Sequence, residues 1–209
     1  MTSAQRGRRT IGVLISGRGS NLQALLDAAA AGNLGGMVAV VISNVRAALG
    51  LQRARAAGIP AHFIDHGGRA REVHDREMAE VLRAHDVSLV CLAGYMRLLS
   101  ADFIRAFPGR ILNVHPSLLP AFPGKDAARQ AFEHGVKVTG ATVHLVDEGL
   151  DSGPIVLQEA VTVAEDDTPE TLAARILEAE HRVYPRAVRL LLDGALRVEG
   201  RRVLRRPPA

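Results

Sequence analysis

Five short apolar runs, each followed by a segment of helical period, constrain this chain more than any other feature. The runs are Thr10–Ser16, Met37–Ser43, Ala61–Ile64, Ser88–Ala93 and Arg110–His115. They are rich in Val, Ile and Leu and carry few charges, the pattern of strands buried on both faces. The intervening segments read as helices. One carries Leu22, Leu25, Leu26 and Ala29, with Ser20 or Asn21 placed to cap it. A second covers Ala47–Ala57 and closes at Gly58. A third, Arg71–Ala84, puts Val73, Met78, Val81 and Leu82 on roughly one face, and Ser100 caps a fourth that ends by Phe107. Strict strand–helix alternation predicts an α/β fold: one domain, a mostly parallel twisted sheet, and helices on both faces.

After His115 the pattern changes. A loop with Pro116, Pro120 and Pro123 precedes an expected helix over Lys125–His134. Two more strands, Gly140–Val146 and Ile155–Val163, flank a glycine-bearing loop. Thr168 caps a long helix with Pro169 at its first position, and Pro185 is expected to kink it. Leu196–Leu204, turning at Glu199-Gly200, reads as a hairpin.

Composition removes several classes. With 47% hydrophobic and 23% charged residues the chain is globular rather than disordered. No apolar run approaches the ~18 residues a membrane span needs. The single cysteine, Cys91, cannot form an internal disulfide, so a reducing cytoplasm is expected. The net charge of +4 invites a nucleic-acid reading, but seven of the 26 bases lie in the ends: Arg6, Arg8, Arg9, Arg201, Arg202, Arg205 and Arg206. The body then holds 19 bases against 22 acids, a poor duplex-binding surface, and aromatics at 3% leave few stacking platforms. Neither nucleic acid nor membrane is expected as a partner, and the basic ends are expected to be solvated and partly disordered.

Two segments carry chemistry. Ser16-Gly17-Arg18-Gly19-Ser20-Asn21 joins the first strand to the first helix. Its glycines allow a tight bend, and the helix N-terminus beyond offers N–H groups to an anion. A dinucleotide fingerprint fits poorly, because Leu22 stands where the third glycine belongs and no acid ends the second strand. A terminal phosphate is the better fit, with a plain tight turn as the alternative. The second segment is Asn113-Val114-His115-Pro116. Alternation along a strand turns Asn113 and His115 to one side, and Pro116 ends the strand there. An amide donor beside an imidazole suits an oxyanion. The loop Asp147–Pro154 adds carboxylates that can orient His115 or move a proton. Alone, Asn113 and His115 also read as buried polar groups satisfying loop backbone, and the acidic loop by itself reads as a surface turn. His62 and His66 are spaced i, i+4, but Pro60 and the strand reading weaken them as a metal pair, and no metal is expected.

Taken together, "ISGRGSNLQALL", "REVHDRE", "LAGYMRLLS", "ILNVHPSLLPAFPG" and "HLVDEGLDSGPIVLQ" resemble the 10-formyltetrahydrofolate-dependent formyltransferase family, from about Ile11 to Leu196. The resemblance implies residues 10–196 as the catalytic domain, between a flexible basic lead (1–9) and a short hairpin and basic tail (197–209). It implies 10-formyltetrahydrofolate as co-substrate, and the glycine turn points to the branch whose acceptor is glycinamide ribonucleotide. Asn113, His115 and Asp151 match the catalytic trio: the first two steady an oxyanion, and Asp151 holds His115 and assists proton transfer. Gly19, Ser20 and Asn21 match the phosphate cradle, and Glu180 an acid on the ribose. Arg71, Met96, Arg97, Leu98, Leu99, Asn113, Val146 and Asp147 match the folate site, with Phe103 and Ile111 as apolar walls. Without the resemblance, Met96, Leu98, Leu99 and Phe103 would read as core and Arg97 as an exposed charge. Relatives often carry histidines after "PG", where this chain has Lys125, Asp126, Ala127 and Ala128. A monomer or homodimer is expected. Within the superfamily, a hydrolase is expected to have an extra N-terminal domain and a methionyl-tRNA formyltransferase an RNA-binding C-terminal one, so neither is the expected reading. A binding protein that kept the fold is the alternative from another class.

Overall fold

The computed structural model describes residues 9–206. The basic lead before Arg9 and the last three residues of the tail lie outside the described residues. The chain forms two compact units, one ending at Leu112 and the other beginning at Asn113.

The first unit is built on β1 (Thr10–Ile15), β2 (Met37–Ser43), β3 (Ala61–Phe63), β4 (Leu89–Leu92) and the first residues of β5 (Ile111–His115), in the order β3-β2-β1-β4-β5. β1 pairs parallel with both β2 and β4, and β2 parallel with β3. Every residue of β1 and β4 is buried, as runs without alternation require. The helices are α1 (Ser20–Ala30), α2 (Leu49–Ala56), α3 (Arg71–Ala84) and α4 (Ala101–Ala106). α3 buries His74, Asp75, Met78, Ala79 and Leu82, whereas Val73 is left exposed. Ser100 caps α4 as expected, accepting the Phe103 N–H. Neither Ser20 nor Asn21 caps α1. Its N-cap is Gly19 in the left-handed region (φ 72°), and Ser20 is already helical. The reason is steric: a Cβ at residue 19 would stand 2.6 Å from the Gly50 Cα, where α2 packs on the turn.

The second unit holds the end of β5, then β6 (Val138–Leu145), β7 (Ile155–Thr162), β8 (Leu196–Glu199) and β9 (Arg202–Arg205), ordered β5-β6-β7-β9-β8. β6 and β7 are antiparallel, with a register shift between Val143 and His144. α5 (Ala127–Glu133) is shorter than expected, because Asp126 takes a left-handed conformation at its start. α6 (Pro169–Leu192) begins with a reciprocal Thr168–Thr171 capping box and Pro169, and runs as one helix through Pro185. Its buried stripe, Leu172, Ile176, Ala179, Val183, Tyr184, Ala187 and Val188, follows helical spacing. β8 and β9 form the terminal hairpin. Over its described residues the basic tail is structured: Arg206 donates to the Leu196 carbonyl and Arg201 to that of Ser152.

Candidate active site

The carboxyl ends of β1, β2 and β4 meet in the first unit. Ser16 donates its backbone N–H to Gly94 O (3.0 Å) and its hydroxyl to Asn44 Oδ1 (2.6 Å), while its Oγ accepts the Met96 N–H (2.9 Å). The turn that follows is braced from α2: Gly50 N–H donates to Gly17 O (3.1 Å), and Arg53 Nε to Arg18 O (3.0 Å). No side-chain cap and no acid occupies the first turn of α1. Its N-terminal N–H groups are therefore presented to whatever approaches the glycine turn, which favours an anion.

The sequence-expected residues of this unit fall into two kinds. Met96 and Leu98 are 68% and 55% exposed, so they are not core, although Leu99 and Phe103 are. Arg97 is half-buried, with its guanidinium beside the Tyr95 phenol, whose pKa burial pushes up. Arg71 is exposed at the first position of α3, where a cation gains nothing from the helix dipole. His62 and His66 do not share a helix. His62 lies in β3 against His85, and His66 lies beyond the strand with Nδ1 on Asn44 O.

In the second unit, β5 delivers Asn113 and His115, and the loop after β6 brings Asp151 to both. Asp151 Oδ2 lies 3.4 Å from His115 Nδ1, and its Oδ1 lies 3.5 Å from Asn113 Nδ2. Asp151 adopts a left-handed backbone (φ 49°), which Asp tolerates better than most residues. The next turn is equally fixed, because a side chain at Gly153 would run into the Leu145 carbonyl. Asp147 ties the loop internally, accepting from Ser152 Oγ (2.7 Å) and Gly149 N–H (3.1 Å).

The proline loop supplies two backbone groups to this cluster. Phe122 O accepts from His115 Nε2 (2.8 Å), and Gly124 N–H donates to Asp151 Oδ2 (2.8 Å). Both ring nitrogens of His115 thus face oxygen atoms, Nε2 the Phe122 carbonyl and Nδ1 the Asp151 carboxylate. Burial pushes the Asp151 carboxyl up. The His144 imidazole, the Gly124 N–H and the His115 ring outweigh it and hold the group below the usual carboxylate range. At 12% side-chain exposure, Asp151 is a carboxylate kept ionised by neighbours rather than by water.

His144 was given no role by sequence reasoning. It is buried at the end of β6, with Nδ1 2.9 Å from Leu145 O and Nε2 3.2 Å from Asn113 Nδ2. Since a carbonyl only accepts, Nδ1 donates there, while Nε2 faces both Asn113 Nδ2 and, at 3.7 Å, Asp151 Oδ1, tying the amide and the carboxylate to one ring. The one ionisable residue in the VTGATVHL strand is the available signal. Val146 and Asp147 are half-buried just beyond β6, and Glu180 lies on the buried stripe of α6 at 6% exposure. The structure therefore gathers the trio in one unit. The residues expected for the ribonucleotide are divided between the first (Gly19, Ser20, Asn21) and the second (Glu180). Those expected for the folate are divided likewise, with Arg71 and residues 96–99 in the first and Asn113, Val146 and Asp147 in the second. Among the described residues no group of three or more His, Cys, Asp or Glu side chains is arranged to hold a metal ion.

A mostly parallel α/β chain with an amide, an imidazole and a carboxylate joined at the end of one strand is of the kind that can stabilise a tetrahedral intermediate of acyl transfer. Residues 9–188 match the formyl transferase family, and the chain belongs to it. It is 44% identical to phosphoribosylglycinamide formyltransferase of Escherichia coli, over 89% of this chain and 88% of that protein. It is 51% identical to the trifunctional purine biosynthetic protein adenosine-3 of Drosophila melanogaster, over 90% of this chain but only 14% of that protein's length. The crystal structure of glycinamide ribonucleotide transformylase 1 from Symbiobacterium toebii is 57% identical, with a TM-score of 0.93, covering 95% of this chain and 94% of that one.

Proposed function

We propose that this chain transfers the formyl group of 10-formyltetrahydrofolate to the amine of glycinamide ribonucleotide, a step of purine biosynthesis, without a metal. The observation that carries the proposal is the closed Asn113–His115–Asp151 cluster in a chain so similar to phosphoribosylglycinamide formyltransferases.

The amine nitrogen attacks the formyl carbon, and the formyl oxygen gains negative charge. Asn113 Nδ2–H and a His115 ring N–H stabilise that charge. Both donors are already engaged, so His115 exchanges the Phe122 carbonyl for the oxyanion when substrate arrives. Collapse breaks the bond from the formyl carbon to N10 of the folate. The proton lost by the attacking amine reaches N10, and Asp151 relays it while holding His115. The uncapped first turn of α1, with Gly19, Ser20 and Asn21, receives the acceptor's phosphate, and Glu180 contacts its ribose. Arg71, Met96, Arg97, Leu98, Leu99, Val146 and Asp147 serve the folate.

The test is folate deformylation, followed optically with both substrates and again without the ribonucleotide. Deformylation that requires the ribonucleotide is the expected result. Deformylation without it means a hydrolase, and none in either run means another acceptor or a binding protein.

A further inference from the structure

The proline loop reaches the catalytic cluster through backbone groups alone, and something must hold that backbone. Thr142 lies fully buried on β6. Its hydroxyl donates to Ser117 O (2.6 Å) and accepts both the Leu119 N–H (3.0 Å) and Gln158 Nε2 (2.9 Å). A hydroxyl has one proton to give and two lone pairs to fill, so this one is fully used. Gln158 is the cross-strand partner of Thr142 on β7, and its Nε2 also donates to Leu119 O (2.9 Å). Both backbone groups of Leu119 and the carbonyl of Ser117 are thus held by two side chains of the β6–β7 pair. Ser117 continues the bracing by donating its Oγ to Ala121 O (2.5 Å). The next residues of the same loop are Phe122, whose carbonyl meets His115, and Gly124, whose N–H meets Asp151.

We propose that Thr142 and Gln158 are positioning residues for formyl transfer: they fix the loop from Ser117 to Gly124 so that its backbone orients His115 and Asp151. Neither touches the reacting atoms. The inference rests on the formyl-transfer reading above for its kinetic consequence, but not for its structural one. Without the Thr142 hydroxyl, the Leu119 N–H must either stay unpaired or drag the loop to another acceptor, and the second course is the cheaper. The Gly124 N–H then leaves Asp151.

The experiment compares Thr142→Val, which keeps shape and loses the hydroxyl, with Thr142→Ser, which keeps the hydroxyl, and with Gln158→Leu, all in the full chain. Two readouts are taken. The first needs no activity: the Gly124 amide resonance is followed against pH by NMR, reporting ionisation of the carboxylate it donates to. His115 from β5 and His144 from β6, the titratable side chains facing Asp151, are kept in every variant. In the unsubstituted protein the midpoint lies below the usual carboxylate range, and in Thr142→Val it moves up. The second readout is kinetic: kcat falls about 10- to 100-fold in Thr142→Val with both KM values nearly unchanged. Thr142→Ser restores both readouts, and Gln158→Leu moves both in the same direction by less. A folded Thr142→Val with the original midpoint and kcat overturns the proposal, as does a Thr142→Ser variant as impaired as Thr142→Val. If Thr142→Val does not fold, Gln158→Leu decides by the same two readouts. If the unsubstituted protein transfers no formyl group, the functional reading fails, and the amide titration alone decides this one.

Discussion

The glycine turn of the first unit and the Asn113–His115–Asp151 cluster of the second solve opposite problems. The turn offers backbone N–H groups, and side chains help to brace it: Arg53 holds the Arg18 carbonyl, and Ser16 holds Met96. The cluster offers side chains, and backbone braces it: the Phe122 carbonyl, the Gly124 N–H and the Leu145 carbonyl fix His115, Asp151 and His144. A phosphate keeps one charge state throughout the reaction, so a rigid cradle of amides suits it. An oxyanion and a travelling proton appear only during the reaction, so groups that can exchange partners suit them. Substitutions in the turn should therefore change binding, and substitutions in the cluster should change turnover.

The largest effect is expected for Asp151→Asn. Asparagine tolerates the left-handed backbone at this position, so the fold survives, while the carboxylate is lost. Turnover should fall about 10³-fold with KM values little changed. An unchanged kcat in steady-state kinetics would remove Asp151 from the reaction. Next is Asn113→Ala, which removes a proposed oxyanion donor and should lower kcat roughly 10²-fold. A rise in KM alone would make Asn113 a binding residue. Gly19→Ala sharpens the contrast from the other side. A Cβ there meets the Gly50 Cα in a left-handed conformation, and the turn must open. The KM for the ribonucleotide should rise about tenfold while kcat is kept, a size set by strain of order 1–3 kcal/mol. Loss of kcat instead would break the division between the two regions.

The smallest effect is one of pH on stability. Asp151 titrates below its ordinary value in the folded chain, so its contribution is complete above that ordinary value and is lost as pH falls through the lowered one. The melting temperatures of the unsubstituted protein and Asp151→Asn, followed from about pH 6 to about pH 3, should converge toward the acid end. A gap that widens on acidification would give the shift the opposite sign.

Much of this organisation is legible in the sequence, and the parts that are not share one cause. The buried runs of β1, β2 and β4 announce themselves because a strand covered on both faces needs no alternation. Thr168-Pro169 marks the start of α6 within a few residues. Asn113 and His115 are linked by period-2 geometry alone. The cap of α1 is not legible, because Ser20 is a better capping residue than glycine and the close approach of Gly50 to Gly19 is invisible in a linear string. The same holds for His144. Its meeting with Asn113 depends on how β6 lies beside β5. Local propensity can be read from the chain, whereas contacts that depend on register must be seen in the fold.

The most direct test of the central claim uses 10-formyltetrahydrofolate labelled with ¹³C in the formyl group, turned over with glycinamide ribonucleotide and the purified protein. The account predicts that the label appears on the amine of the ribonucleotide, and that this signal disappears in Asp151→Asn. Label recovered as free formate, with the ribonucleotide unmodified, would contradict it.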